Sequence, residues 1–407
     1  MTFVHKKRGF TLVEVIVVMA VFISVLMITA SAFDTILKQA SKLFGNEESN
    51  IEGVIGLEML RHDLQQAGYG LFTEQVNYAD EAATAPASDY NDAPNNVPRP
   101  VVAGNDLATG LTMDNNSLLA GSDYLAIKGT TVARNAAAQK WTFLRVSSSE
   151  VTPQAWASAS ENFSSNDRVV VLRKQFGNPV RSTLVPDPAG DFYYAYSDVA
   201  FNNLSSAGTS VYTAYGIDRA GVTPRFPFNR TDFFIGIPSP SNSIKLPPHC
   251  APGTGVLYKT TVNLADGMLT YIPVLDCVLD MQVVLGWDMN SDGMIDTYSS
   301  ANGSAVNSGI TEGSIANVQA ALANANNNTI ATTPNIRNNL KMLKVYVLAQ
   351  YGKRDPGYTN SSPIILGDTG EGSLTRPAGL ALAANQLNYR WKQYRIVVRP
   401  QNLLSNQ

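Results

Sequence analysis

Asp288-Met289-Asn290-Ser291-Asp292-Gly293-Met294-Ile295-Asp296 places oxygen-bearing side chains at regular spacing. Counted from Asp288, they stand at positions 1, 3, 5 and 9, with Gly293 at 6 and an apolar residue at 8. Alternate positions of a tight loop converge on one point, glycine permits the reversal, and Met294 at position 7 would offer its backbone carbonyl. This is the pattern of the first nine positions of a calcium loop. Position 12 is Ser299, where such loops place a bidentate Glu. The expectation is a structural Ca2+ site of weak affinity, with another group completing the shell. A metal-free acidic turn is the competing reading, because Asp, Asn and Gly are ordinary turn residues.

Other chemistry is sparse. Beyond the first nine residues the histidines are His62 and His249, both read as structural or solvated. The chain contains no GxSxG, Walker A, HExxH or GxGxxG pattern, so no catalytic residue is assigned and no enzyme is expected. The 17 tyrosines are not concentrated on one helix or strand face, so no carbohydrate platform is read from them. Cys250 and Cys277 have neither CxxC nor zinc spacing. In an oxidising compartment they would pair, closing a loop worth about 3.5 kcal/mol on the chain-entropy account. Two unrelated buried thiols are the alternative. Charged residues are only 15% of the chain, net charge is -3, and no basic stripe occurs, which argues against a nucleic-acid partner.

The element that must position everything else is the beginning of the chain. Lys6-Lys7-Arg8 runs directly into an apolar segment of about 24 residues ending at Phe33, long enough to span a bilayer. Within it stands one acid, Glu14, in a medium that disfavours carboxylates by a few kcal/mol, which marks it as a functional candidate. The three cations predict a cytoplasmic N-terminus. A secretory signal cut after Ala30-Ser31-Ala32 and a plain signal anchor are the bland alternatives.

No proline interrupts 10–66, and beyond Phe33 the pattern turns amphipathic, with Ile51, Val54, Ile55, Leu57, Leu60 and Leu64 at mostly helical spacings. One helix of roughly 85 Å is expected, weakened locally by Gly45, Gly53 and Gly56 and ended at Gly68-Tyr69-Gly70. Residues 71–120 read as long loops. Strands are expected at 123–128, 141–146, 168–174, 191–197, 255–262, 278–286, 343–351 and 389–399. The proline-rich, aromatic stretch 221–248 reads as irregular, and the Asn-rich stretch 299–339 as an insertion or surface loop.

Gly9-Phe10-Thr11-Leu12-Val13-Glu14 at the basic–apolar junction resembles the type IV prepilin signature. The helix end Leu60-Arg61-His62-Asp63-Leu64 followed by Ala67-Gly68-Tyr69-Gly70 is similar to that of PilW-type minor pilins, as are Val278–Asp288 and the closing segment Arg390–Asn402. The resemblance covers about the first 70 residues and those two later segments. It implies cleavage between Gly9 and Phe10 by a prepilin peptidase and N-methylation of Phe10. It also implies a Glu14 carboxylate that meets the N-terminal amine of a neighbouring subunit. The other reading of Glu14 is that it snorkels to the interface. Many pilins carry a proline where this chain has Ser31.

The implied fold is α+β: a leader at 1–9, a membrane and assembly half-helix at 10–33, an amphipathic half at 34–68, and a β-rich head at 69–407 on a mainly antiparallel sheet. The implied role is a minor pilin that primes assembly or sits at the pilus tip. Its partners would be the major pilin, other minor pilins, the inner-membrane assembly platform and a tip adhesin, with the head in the periplasm before assembly. A pseudopilin of a type II secretion system shares the same N-terminal logic. A membrane-tethered adhesin is a further alternative, and would carry an exposed aromatic patch in 221–275.

Overall fold

A single helix, α1 (Leu12–Gln66), runs for 55 residues, or roughly 80 Å at 1.5 Å per residue. It passes Ser31 without a break, because nothing there removes a backbone donor. The computed structural model describes residues 11–74, 76–92, 97–133, 135–147, 150–175, 181–197, 200–204, 211–288, 292–295, 297–300, 340–368, 374–376 and 378–404.

Behind the helix lie two antiparallel sheets. The larger has the path β1 (Val101–Gly104), β4 (Tyr124–Gly129), β11 (Asn229–Pro238), β12 (Gly255–Val262), β13 (Leu269–Trp287), β15 (Leu340–Tyr351) and β16 (Arg390–Val398). The short strands β2 (Thr112–Met113), β3 (Asn116–Leu118) and β14 (Thr297–Ser299) attach to it. The smaller has the order β6 (Val151–Pro153), β5 (Trp141–Val146), β10 (Val211–Asp218), β7 (Arg168–Gln175) and β8 (Arg181–Val185), with β9 (Tyr194–Ala195) on β7. The fold is α+β and pilin-like, as the sequence suggests.

Both faces of the large sheet are covered, which explains why β4 is buried at all six positions. Leu125 and Ile127 face the helix side, in a core with Leu57, Leu60, Leu64, Met281, Val345 and Ile396. Tyr124 and Ala126 face the other way, toward Phe72, Phe228, Phe234 and Tyr258. Val170 and Leu172 of β7 enter that second core, so the small sheet packs on the large one through it. The short closing helix α2 (Gln401–Leu404) places Leu403 in the first core, with its methyl 2.7 Å from where a Cβ on Gly68 would stand.

The amphipathic half of α1 packs differently from the sequence reading. Leu57, Leu60 and Leu64 are buried, but Val54 and Ile55 are 59% and 61% exposed. The stripe that meets the sheet is Gly53, Gly56, Leu57, Leu60 and Leu64, within about 100° of the helix wheel. Its two glycines are contact residues. A Cβ on Gly53 would stand 2.4 Å from the Tyr394 hydroxyl, and one on Gly56 would stand 2.1 Å from the Val274 carbonyl. They do cost helix propensity, and in return the helix backbone lies directly on β13 and β16.

Several strands depart from expectation. The stretch read as irregular, 221–248, contains β11, a ten-residue strand in the middle of the large sheet. Its prolines flank the strand or close it at Pro238, and the charges of Arg230 and Asp232 disguised its apolar alternation. The segment 71–120, read as loops, contributes β1, β2 and β3. Strands β8 and β10 were not anticipated, whereas 191–197 keeps only the two residues of β9. Conversely, β13 extends the expected 278–286 to 19 residues, tolerating Pro273 and Cys277 (φ +54°) where its register shifts against its neighbours. The Asn-rich stretch from 301 to 339 lies outside the described residues.

Replacing Gly56 by Ala should therefore destabilise the head. Propensity alone would give a gain of up to about 1 kcal/mol, but overpacking against Val274 is expected to outweigh it, at about 1–3 kcal/mol. Thermal melts of the two proteins decide the sign, and a raised midpoint for Gly56→Ala would contradict the close approach.

Candidate functional site

Leu12–Leu37 is one uninterrupted apolar helix, long enough to cross a membrane, and the head buries none of it. Val15, Ile16, Phe22, Ile23, Leu26 and Ile28 are all roughly half exposed or more. Gly9 and Phe10 lie outside the described residues. Thr11 caps the helix: its hydroxyl accepts from the Glu14 N–H at 3.3 Å. The Glu14 carboxylate in turn accepts from the Thr11 backbone N–H at 3.2 Å and from the Thr11 hydroxyl at 3.3 Å. This reciprocal capping box satisfies orphan donors of the first turn and sets the acid against the positive end of the helix dipole. Glu14 thus has a partner within its own chain, on an exposed face.

In the acidic loop, Asp288 is fully buried and closes the turn. Its two oxygens accept from the backbone N–H groups of Asp292 (3.1 Å) and Gly293 (2.8 Å), while Asp292 accepts from Met294 N–H at 2.8 Å. Gly293 sits at φ +88°, the conformation its position requires. The Lys341 ammonium lies 3.9 Å from Asp288, and burial pushes Lys341 below the usual lysine value against the pull of that carboxylate. Asp288 and Asp292 are thus drawn into one turn; Asn290 and Asp296 lie outside the described residues.

Cys250 and Cys277 form a disulfide with their Cα atoms 5.0 Å apart. It ties the segment before β12 to the register shift in β13. Exposed His249 stands beside it, but both sulfurs are consumed in the bond, so the trio offers no thiolate to a metal. His62 is held above its usual value by a hydrogen bond to Asp63, against the opposing effect of burial. The other oxygen of Asp63 meets Lys259 of β12 at 2.5 Å with both side chains buried, an ion pair that fastens the helix to the sheet.

The feature that sequence reading missed is a buried ionic network on the far face of β4 and β11. Lys128 bonds Glu81 at 2.9 Å and Asp92 at 2.5 Å, and Arg99 reaches Asp92 at 2.6 Å. Arg230 grips Asp232 through two bonds of 2.7 and 2.8 Å, reaches Glu81 at 3.0 Å, and donates to the Ala87 carbonyl at 2.8 Å. Tyr124 donates to Asp232 at 2.5 Å. Glu81, Lys128, Arg230 and Asp232 are completely buried, and three cations balance three carboxylates. The network pins the 78–100 segment over the sheet. For Asp92, burial raises the carboxyl, but Arg99 and Lys128 outweigh it and hold it below the usual range. The signal available in the sequence was a lysine and an arginine inside otherwise apolar strands.

The aromatic side chains of 221–275 do not form an exposed patch: Phe226, Phe228, Phe233, Phe234 and Tyr258 are all fully buried.

Compared with known proteins, the chain matches the prokaryotic N-terminal methylation motif over residues 4–30. No curated protein and no solved structure matches it. The motif and the uncovered helix together support a type IV pilin-like or pseudopilin precursor, processed by a prepilin peptidase and anchored in a membrane by its helix. They point to a structural subunit and not to an enzyme.

Lys128→Met should cost about 3–5 kcal/mol, because Glu81 and Asp92 are left buried without their cation. Asp92 has a depressed folded-state pKa, so its contribution is present above the ordinary carboxylate value and is lost as pH falls through the lower folded value. Urea titrations of wild type and variant check both points. The wild type should lose stability on acidification below about pH 4, and the acid loss should be smaller in Lys128→Met.

Proposed function

We propose that this chain is a minor pilin of a type IV pilus, of the PilW type, which primes assembly or occupies the tip. The observation that carries this reading is that a predominantly apolar span of 26 residues, Leu12–Leu37, is left uncovered by the described residues of its own head. Apolar surface of that extent belongs in a bilayer first and against the helices of other subunits afterwards. Cleavage between Gly9 and Phe10 would free an amine to offset the Glu14 carboxylate of an adjacent subunit. The capping box supports this arrangement by fixing the acid at the helix start, where such an amine would approach. Lys6, Lys7 and Arg8 favour a cytoplasmic leader and therefore a periplasmic head. The partners on this reading are the prepilin peptidase, the inner-membrane platform, the major pilin and its fellow minor pilins. A head of two packed sheets is bulky for a regular shaft, which favours the tip.

The test is deletion of the chain in its native bacterium, with surface pili and secreted enzymes assayed together. Sparse or absent pili with normal secretion is the expected result. Normal pili with blocked secretion would reassign the chain to a secretion pseudopilus.

We propose separately that the Asp288 loop takes Ca2+ in a structural role. Asp288 and Asp292 fit such a site, since both are carboxylates, the hard oxygen donors that Ca2+ takes, and the turn draws them together. The ion would neutralise the clustered acids beside β13. At 10 mM Ca2+ a millimolar site stabilises by about 1.4 kcal/mol, so the full-length protein should melt higher in calcium than in EGTA. Equal melting temperatures would sink the calcium reading.

A further inference from the structure

The small sheet carries an aromatic cleft with no part in the assembly reading. Along β5 the side chains alternate: Thr142 and Leu144 are buried, while Phe143 is 42% exposed and Trp141 half-buried. Trp156, from the loop after β6, comes up beside them. The Trp141 ring centroid is 5.0 Å from that of Trp156 and 5.0 Å from that of Phe143, both edge-on. The two tryptophans line an open cleft of about 770 Å³, whose remaining wall is Ala136, Gln139, Lys140, Ser160 and Glu161.

The cleft is held in shape before any ligand arrives. The Trp156 indole N–H donates to the Trp141 carbonyl at 2.8 Å. The Trp156 backbone N–H donates to Asn162 Oδ1 at 2.8 Å, and Asn162 Nδ2 donates back to the Trp156 carbonyl at 3.0 Å. With its polar edge consumed, Trp156 presents ring surface, and binding would cost little additional ordering. Aromatic area left partly in water along the wall of an open cleft is the kind of patch that marks a binding surface.

We propose that this cleft binds a neutral oligosaccharide. A pyranose ring is amphipathic in the same way as the cleft. Its C–H face bears partial positive charge that suits the negative face of an indole, and its hydroxyl edge needs donors and acceptors. Lys140 supplies donors, Glu161 acceptors and Ser160 both. An apolar helix or acyl chain would leave those three polar groups facing hydrocarbon. One cation and one anion on the rim favour no net charge, which selects neutral sugars over sulfated or sialylated ones. The proposal does not depend on pilus assembly.

The experiment is binding of the fluorescently labelled full-length protein, in the sugar-free detergent lauryldimethylamine oxide, to a printed array of oligosaccharides. Saturable binding to at least one neutral structure is expected, weakened tenfold or more in Trp156→Ala. Glu161→Gln, on the exposed rim, should weaken it severalfold, and Trp391→Phe should leave it unchanged. Far-UV circular dichroism and melting curves establish that each variant is folded, and Trp156→Phe replaces Trp156→Ala if that variant is not. No retention on any neutral sugar would overturn the proposal. So would retention confined to charged sugars, or binding indifferent to both Trp156 and Glu161.

Discussion

The structure depends on one constraint: a single helix must satisfy two environments. Over Leu12–Leu37 it presents mostly apolar side chains, and no described residue of the head covers them. From Gly53 onward it presents a narrow stripe to a sheet. Both halves need an unbroken backbone, because any orphan donor in the first half would sit in hydrocarbon, where water cannot satisfy it. Glu14 is accommodated within this constraint by its position. At the first turn it accepts the orphan donors of Thr11, so the acid and the helix end relieve each other.

The head is organised to hold the second half of that helix. Glycines at 53 and 56 bring its backbone against β13 and β16, and the buried Asp63–Lys259 pair fixes its rotation over β12. Both faces of the sheet are occupied. On the far face the 78–100 segment joins the small sheet in covering it, with Tyr78 and Tyr90 in the second core and Glu81 and Asp92 held by charge. Glu81, Asp92 and Asp232 neutralise Lys128, Arg230 and Arg99 within hydrogen-bonding distance, which is the condition under which buried ions are tolerated. The disulfide does similar work at the register shift of β13, where Cys277 takes a left-handed backbone conformation.

The parts of this architecture that were legible in the sequence are those carried by local pattern. The helix showed itself as an apolar run with no proline, and its end as Gly68-Tyr69-Gly70. Strands β5 and β12 showed themselves through β-branched and aromatic residues bounded by turn formers. What could not be read depends on partners distant in sequence. Gly53 and Gly56 looked like weak points because their contacts, Tyr394 and Val274, lie more than 200 residues on. Strand β11 was hidden because Arg230 and Asp232 read as surface charges, when their partners Glu81 and Tyr124 make them interior. Trp141 and Trp156 are 15 positions apart on different elements, and the antiparallel pairing of β5 with β6 helps to bring them together. In the Asp288 loop the spacing was readable and the turn geometry at Asp288 and Asp292 is present.

The central claim, that the N-terminal helix is an assembly element exposed by processing, is tested most directly by the mature N-terminus of the chain in purified surface filaments. Peptide mass spectrometry should find the chain there, with its first peptide beginning at Phe10 and a methyl group on the Phe10 amine. A chain absent from filaments, one that keeps residues 1–9, or one that begins at Phe33 after an ordinary signal cleavage would contradict the account.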